Sequence, residues 1–516
     1  MSIDIKKMTI GSKKRKLTAL TIAAILLVML FAPLFAYAED ATPVYQSLDE
    51  LNGKRFAYVN GSVYVQNIEG MLEGTSAEFY PSLAECVAAV EAGKADAAVQ
   101  LSYCCQHVIN QRPGTVTLLP EPVAEVSEGF FFKHGSELTD QFNEIISKFS
   151  EDGTLAELEE KWVAADESGK TLPEQDWDAP NGTLKFATSG VIDPFSYVGE
   201  GGQPKGYDVE LALLIAKELG YHLEVSTIPM DSIFASVDSG KADFGGTLTE
   251  TPERASVCDF SEPVMPTTIS VIVKTEEASS SGGLMGRLSD SFKRTFIDES
   301  RWMLILKGLG ITVLISVCAG VLGIMLGYGT VVARLSGVRW IGRLVDGYQT
   351  LMGGIPLVVI LMLLYYVVFG FVDIPGEIVA IIAFALSFGA TAGATMWTAV
   401  NGIDSIQMES GLALGYTRWQ VFHKIIFPQA RRRYMPQLMG QFISLVKDTA
   451  IVGYIAVQDL TRAGDLIRAR TMEAFFPLVS TAIIYLLICL VLGWALRKVV
   501  ARFDLVGNTN MAKGDK

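Results

Sequence analysis

Apolar positions follow two different rules along this chain. Between Ser47 and about Lys274, short apolar runs (RFAYVNG, DAAVQL, LKFATSG, LEVSTI, DFGGTLT) alternate with longer stretches such as FYPSLAECVAAVEAGKA, LTDQFNEIISKFSEDGTLAELEEKW, GYDVELALLIAKELGY and SIFASVDSGKA. The short runs are bounded by Gly, Asn or Asp and predict strands; the longer stretches repeat their apolar residues at helical spacing. Strand–helix alternation implies parallel α/β units. One such unit spans Ser47 to about Val163, and a second follows a linker rich in Pro, Asp and Gly. Neither is large enough to form two lobes by itself.

Beyond Trp302 the rule changes. Apolar runs at Ile305–Val332, Val345–Phe371, Ile378–Val400, Met435–Ile455 and Leu478–Val500 predict five membrane spans, each near the roughly 20 residues a bilayer requires. Arg334, Arg339 and Arg343 follow the first run, Arg431 to Arg433 the third, and Arg497, Lys498 and Arg502 close the fifth. Basic residues gather on the cytoplasmic side, so this spacing puts the α/β region outside. Ahead of the first span, Leu284, Leu288, Phe292 and Phe296 mark one apolar face of a helix lying on the membrane or docked against the spans, behind a flexible linker, Ser279 to Gly283. At the N-terminus, Lys13-Lys14-Arg15-Lys16 precedes an apolar stretch from Leu17 to the triplet Ala36-Tyr37-Ala38, read either as a cleaved signal peptide or as a retained anchor. The expected domains are therefore 1–38 leader or anchor, 43–168 and 181–276 in the α/β region, 277–300 linker and elbow, 301–502 membrane helices and 503–516 cytoplasmic tail.

A chain of 516 residues that is half hydrophobic, 19% charged and carries a net charge of −14 suits a membrane protein with an acidic external domain, and argues against nucleic-acid binding. Cys86, Cys104, Cys105, Cys258, Cys318 and Cys489 include no metal-type CxxC pair and read as small buried hydrophobes, although a bridge from Cys86 or Cys258 to Cys104 or Cys105 stays open. No metal site, no cofactor and no catalytic set of nucleophile, base and orienting group is expected.

GYDVELALLIAKELG, SGKADFGGTLTETPERASVCDFSEPV, SLDELNGKR and EDGTLAELEEKW resemble successive signatures of polar amino-acid solute-binding proteins. Their order is rotated, because the lobe with TPER and DFSEP comes second here. The resemblance implies one circularly permuted α/β two-lobe domain of the periplasmic-binding-protein (Venus-flytrap) type, with two leftover half-domains as the competing reading. Its 43–168 part would hold lobe 2 plus the return to lobe 1, and 181–276 lobe 1. The resemblance implies a ligand carboxylate held by Arg254, with Thr247 and Thr249 upstream and Gly61 and Ser62 facing them at a helix start. Ser189, Ile192, Phe195 and Met230 fall on the remaining pocket positions. Leu101 falls where the family places an acid for the ligand's ammonium, so another acid such as Asp193 or Asp231 would have to act, or a shift by one would bring in Ser102, or the ligand would not be an ordinary α-amino acid.

Between the third and fourth runs, Glu409-Ser410-Gly411, Gly415, Ile425 and Pro428 resemble the EAA loop of ABC importers. That implies an all-α, type I ABC importer permease domain whose loop seats in a separate ATPase, which would bind ATP and Mg; the chain has no GxxxxGK[ST] phosphate loop. YQTLMGGIPLVV and LVKDTAIVGYIAVQDL extend the likeness, with Gly353 in place of a common Arg. Lys447, Asp448 and Thr449 are candidates for the pathway, or Lys447 and Asp448 for mutual neutralisation. The implied protein is an importer subunit that binds a small solute, an amino acid or relative, outside a cell membrane and moves it across, as a homodimer in lipid or paired with a similar permease. A ligand-gated channel or receptor is the competing reading; it would need a filter loop or a cytoplasmic signalling domain.

Overall fold

The computed structural model describes residues 45–111, 115–164, 169–275, 289–473 and 475–511. The N-terminal leader or anchor, the linker Ser279 to Gly283, and Leu284 and Leu288 lie outside the described residues.

The first unit forms β1 (Arg55–Val59), α1 (Val65–Glu69), β2 (Ser76–Tyr80), α2 (Leu83–Glu91), β3 (Ala97–Leu101), α3 (Ser102–Gln111) and β4 (Val116–Leu118). β2, β1 and β3 lie side by side in parallel, Arg55–Val59 matching Ser76–Tyr80. β3 is buried throughout, which explains its unbroken apolar run. β5 (Ala124–Lys133), α4 (Leu138–Glu151) and α5 (Thr154–Glu159) follow. The second unit adds β6 (Thr183–Thr188), a small sheet of β7 (Val191–Ile192), β8 (Ser196–Val198) and β9 (Pro204–Lys205), then α6 (Tyr207–Glu218), β10 (His222–Thr227), α7 (Met230–Asp238), β11 (Phe244–Thr249), α8 (Pro252–Ala255), β12 (Cys258–Phe260) and β13 (Met265–Lys274).

All these strands except the small sheet join one sheet, ordered β10-β6-β11-β5-β13-β3-β1-β2. The three strands at each end are parallel, and β5 and β13 cross between them. β5 pairs with β13 through Ala124–Glu128 and with β11 through Glu128–Phe132, while β13 runs from Met265 beside β5 to Val273 beside β3. The chain therefore enters in one lobe, crosses on β5, fills the other lobe, and returns on β13. In the lobe of β6, β10 and β11, the rings of Phe130, Phe132, Phe142, Phe186 and Phe244 pack 4.8–5.9 Å apart, mostly edge to face. The Lys161-Trp162 segment clamps onto α6: Trp162 Nε1 donates to Glu210 Oε2 at 2.7 Å, and Lys161 Nζ reaches the same carboxylate at 2.7 Å.

The helical half comprises α9 (Trp302–Leu335), α10 (Arg339–Gly354), α11 (Leu357–Met362), α12 (Gly376–Asn401), α13 (Ile406–Ala413), α14 (Arg418–Val421), α15 (Phe427–Asp448), α16 (Leu460–Thr471) and α17 (Phe475–Met511). Three stretches, Trp302–Leu335, Gly376–Asn401 and Phe475–Lys498, are unbroken and apolar enough to cross a bilayer; two bent pairs bring the number to as many as five. The run Val345–Phe371 is not one straight helix: α10 and the helical stretch Leu357–Val368 meet at 106°. Pro356 drives Ile355 into an extended conformation, which ends α10. The run Met435–Ile455 likewise begins inside α15, so Arg431 to Arg433 lie on that helix rather than in a loop. α9 and α12 pack through facing glycines: a Cβ on Gly327 would come within 2.8 Å of Gly393 N, a backbone approach that small residues permit.

Candidate functional site

A cleft opens where β5 and β13 cross. Gly61, Ser62 and Leu101 line one wall, and Ser189, Ile192, Phe195, Met230, Thr247, Thr249 and Arg254 the other, so all the ligand-site residues expected from sequence meet in one space. Arg254 belongs to α8, whose start is set by Pro252 and by Thr251 capping Arg254 N. Its guanidinium donates from Nη1 to Thr249 O (2.8 Å) and from Nη2 across the cleft to Gly61 O (3.0 Å). Tyr64 and Thr249 hydroxyls, 3.4 Å apart, and Gln66 with Glu253 also bridge the lobes, which are closed on each other. Asn60-Gly61-Ser62 forms a turn with Gly61 at φ +77°, and α1 starts only at Val65; the expected helix start at Ser62 is thus a turn instead.

Leu101 lines the cleft while Ser102 points away, its hydroxyl 2.6 Å from Ser270 Oγ on β13, because side chains alternate along the end of β3. Neither proposed substitute acid reaches this space. Asp193 is buried against Arg470 and His107, and Asp231 lines a different cavity. Two carboxyls not singled out from sequence do line it, Glu128 on β5 and Asp208 on α6. Burial pushes Glu128 up to about 8, with the charge of Asp208 adding to the shift and Thr249 and Arg254 opposing it. Asp208 is pushed up to about 6 by burial against two kinds of Thr247 hydrogen bond. Burial lowers Arg254 from the usual guanidinium range. Cys86, Cys104, Cys105 and Cys258 are free, buried thiols.

A second cavity adjoins the first. It shares Val59, Asn60, Ser189, Ile192 and Met230 with the cleft and extends to Ala450, Gly453 and Tyr454 of the helical half. Its wall is α16, a helix whose three arginines hold both lobes. Arg462 Nη2 donates to Ser189 O (2.6 Å), Arg470 pairs with Asp193 and with Glu299 (2.7 Å), and Arg468 pairs with Glu85 on α2. Val198 packs with Leu304, Leu460 and Ile467 beneath them, and Gln458 donates to Thr227. Farther out, Lys185 meets Asp373 at 2.8 Å. The sequence signal for this seam was LTRAGDLIRART, an Arg-rich helix inside an apolar half.

At the far end of the spans, Glu409, Ser410 and Gly411 lie on α13. Gly411 is buried where a Cβ would meet Val421 at 2.6 Å, and Gly415 turns the chain at φ +85°. Thr417 and Gln420 cap α14 reciprocally, and the helix runs on through a π-helical turn, Phe422–Ile426, that contains Ile425 and leads directly into α15, with Pro428 in its first turn. This turn exposes Ile406, Leu412, Leu414, Tyr416 and Trp419, an apolar set on an otherwise polar loop. Lys447 and Asp448 form no ion pair among the described residues. Asp448 lines a cavity of mixed character with Gln437, Gln441, Ser444, Leu357 and Phe388, and Thr449 is buried, its hydroxyl donating to Val446 O. A Cβ on Gly353 would meet nothing within 4 Å.

The pattern of the bacterial extracellular solute-binding proteins, family 3, matches residues 184–476, more than half of the chain. The L-cystine transport system permease protein TcyB of Bacillus subtilis (strain 168) is 30% identical over 210 residues, covering 40% of this chain and 90% of that protein. The arginine ABC transporter permease protein ArtQ of Haemophilus influenzae is 32% identical over 197 residues, 37% of this chain and 88% of that one. The crystal structure of an amino acid ABC transporter with histidines is 28% identical, with a TM-score of 0.36 over 39% of this chain and 94% of that one. By these matches the chain belongs to the family 3 extracellular solute-binding proteins and, equally, to the permeases of amino-acid ABC transporters, the two joined in one polypeptide.

Proposed function

We propose that this chain is an importer subunit that captures a small amino-acid-like solute in its own external cleft and passes it directly into its own permease. The observation that carries the reading is a second cavity that abuts the cleft and is lined also by Ala450, Gly453 and Tyr454 of the helical half, so that only a shared wall separates a captured solute from the permease. The similarity to a cystine permease and an arginine permease points to amino acids as the solute class. The binding domain lies outside the cell and the 406–430 loop inside, in keeping with the basic residues at the ends of the spans. The family match begins at β6, the strand with which an unrotated domain would start, and this supports a circular permutation.

The cytoplasmic loop seats in a separate ATPase subunit, which binds ATP and Mg and drives alternating access. Exposed Leu414 and Trp419 give that partner an apolar anchor, and two copies of the chain supply the paired permease halves in the membrane. Gly415→Val forces a side chain into a left-handed turn, and together with Glu409→Ala it should abolish co-purification of the ATPase and solute uptake into proteoliposomes while leaving solute binding intact. Undiminished ATPase association in both variants would sink the coupling assignment.

A further inference from the structure

Leu101 leaves the cleft without the acid that a zwitterionic ligand needs, yet the space is not without carboxyls. Glu128 sits where β5 leaves β13 for β11, directly opposite Thr249, and is only 3% exposed. Thr249 ties two ionisable groups together: its hydroxyl donates to Glu128 Oε1 at 2.5 Å, and its carbonyl accepts from Arg254 at 2.8 Å. A guanidinium and a carboxyl are thereby anchored on a single residue, an arrangement that suits a ligand bearing a carboxylate and an ammonium on one carbon. Asp208 is the other acid in the cleft, but both its oxygens accept from Thr247. Among the described residues Glu128 has one side-chain hydrogen bond, at Oε1, so Oε2 keeps its acceptor capacity.

We infer that Glu128, on the crossing strand, receives the ligand's ammonium while Arg254 takes its carboxylate, and that the ligand is an α-amino acid with an apolar side chain. This rests on the cleft reading proposed above and names its ligand class. Leu101, Ile192, Phe195, Met230 and Ile233 line the same space and offer dispersion contacts to an apolar side chain. An ammonium left unpaired there would be costly, and a carboxylate is the group that offsets it.

Without ligand, burial keeps the Glu128 carboxyl protonated up to about pH 8. The groups facing it are Asp208, Arg254, Tyr64 and Cys104, and Glu125 and Glu250 border it on its outer side. An arriving ammonium favours the ionised form, so binding releases a proton and affinity rises as pH is raised from 6 to 8.

The test uses the full chain in nanodiscs, with L-leucine, L-methionine and L-phenylalanine as probes, each alongside its N-acetyl form. At least one free amino acid should bind; N-acetylation and Glu128→Gln should each weaken it tenfold or more, and combining them should add less than threefold further. Glu128→Gln should also flatten the pH dependence between 6 and 8. Equal affinity in Glu128→Gln, or binding of L-arginine or L-glutamate, tested alongside, with none of the three apolar probes bound, overturns the inference. Arg254→Ala separates the two levels: if it loses binding while Glu128→Gln keeps it, only the Glu128 assignment falls, and if both keep it, the cleft reading falls too.

Discussion

In the seam along α16, each buried guanidinium meets an oxygen contributed by the binding domain: Arg468 that of Glu85, Arg470 that of Asp193, Arg462 that of Ser189. In the adjoining cleft, Glu128 and Asp208 have threonine hydroxyls and Arg254 has carbonyls, so no carboxylate is paired with the one cation. The two regions share residues, yet they bury charge for opposite ends. Charges compensated within the chain hold two halves together, whereas the cleft keeps its acids on threonine hydroxyls and its guanidinium on carbonyls, with no ion pair between them among the described residues.

Removing a seam charge gives the largest expected effect. Arg470→Ala leaves Asp193, 4% exposed, with His107 as its remaining ionisable contact and removes one of the partners of Glu299, and breaking a buried pair in this way costs about 3–5 kcal/mol. Thermal unfolding of the full chain in nanodiscs should show this loss, with binding affinity in the surviving folded protein nearly unchanged. An unshifted melting curve would mean that the seam is not what joins the halves.

The cleft should reveal itself through pH. Glu128 and Asp208 are raised to about 8 and about 6, so the folded chain favours their neutral forms. Their contribution to stability is complete below about pH 4, the unfolded range, and is lost as pH rises through 6 and then 8. Melting of the unliganded chain should fall by the equivalent of roughly 2–3 kcal/mol between pH 5 and 8, at about 1.4 kcal/mol per pKa unit and discounted for relaxation. Glu128→Gln should remove the part of that slope above pH 6. A slope identical in both proteins would place the titration elsewhere.

The smallest effect sharpens the contrast within the seam itself. Lys185 and Asp373 also join the two halves, but the aspartate is 82% exposed. Lys185→Ala should change stability by less than about 1 kcal/mol, and raising salt should erase even that. A loss comparable with that of Arg470→Ala would show that contact number, rather than burial, governs the junction.

Much of the cleft was legible beforehand because its parts are short motifs with local causes. TPER sets a capped turn that presents Arg254, and Gly415 marks a left-handed turn between α13 and α14. Glu128 was not legible, since in AEVSEGFFFK it is one of several acids on a strand, and only pairing with β11 at Thr249 puts it in the cleft. The break at Pro356 was missed for a different reason: hydropathy sums apolar residues and is blind to the direction in which the backbone carries them.

By itself the sequence determined the grammar of strands and helices, the apolar lengths and the local turn chemistry, because each depends on residues within a few positions of one another. Only the tertiary structure decided which acids meet which arginines. Asp193 and Arg470 are 277 positions apart in the chain, and no local preference encodes a contact that exists only after two lobes and a bundle of helices have closed around it.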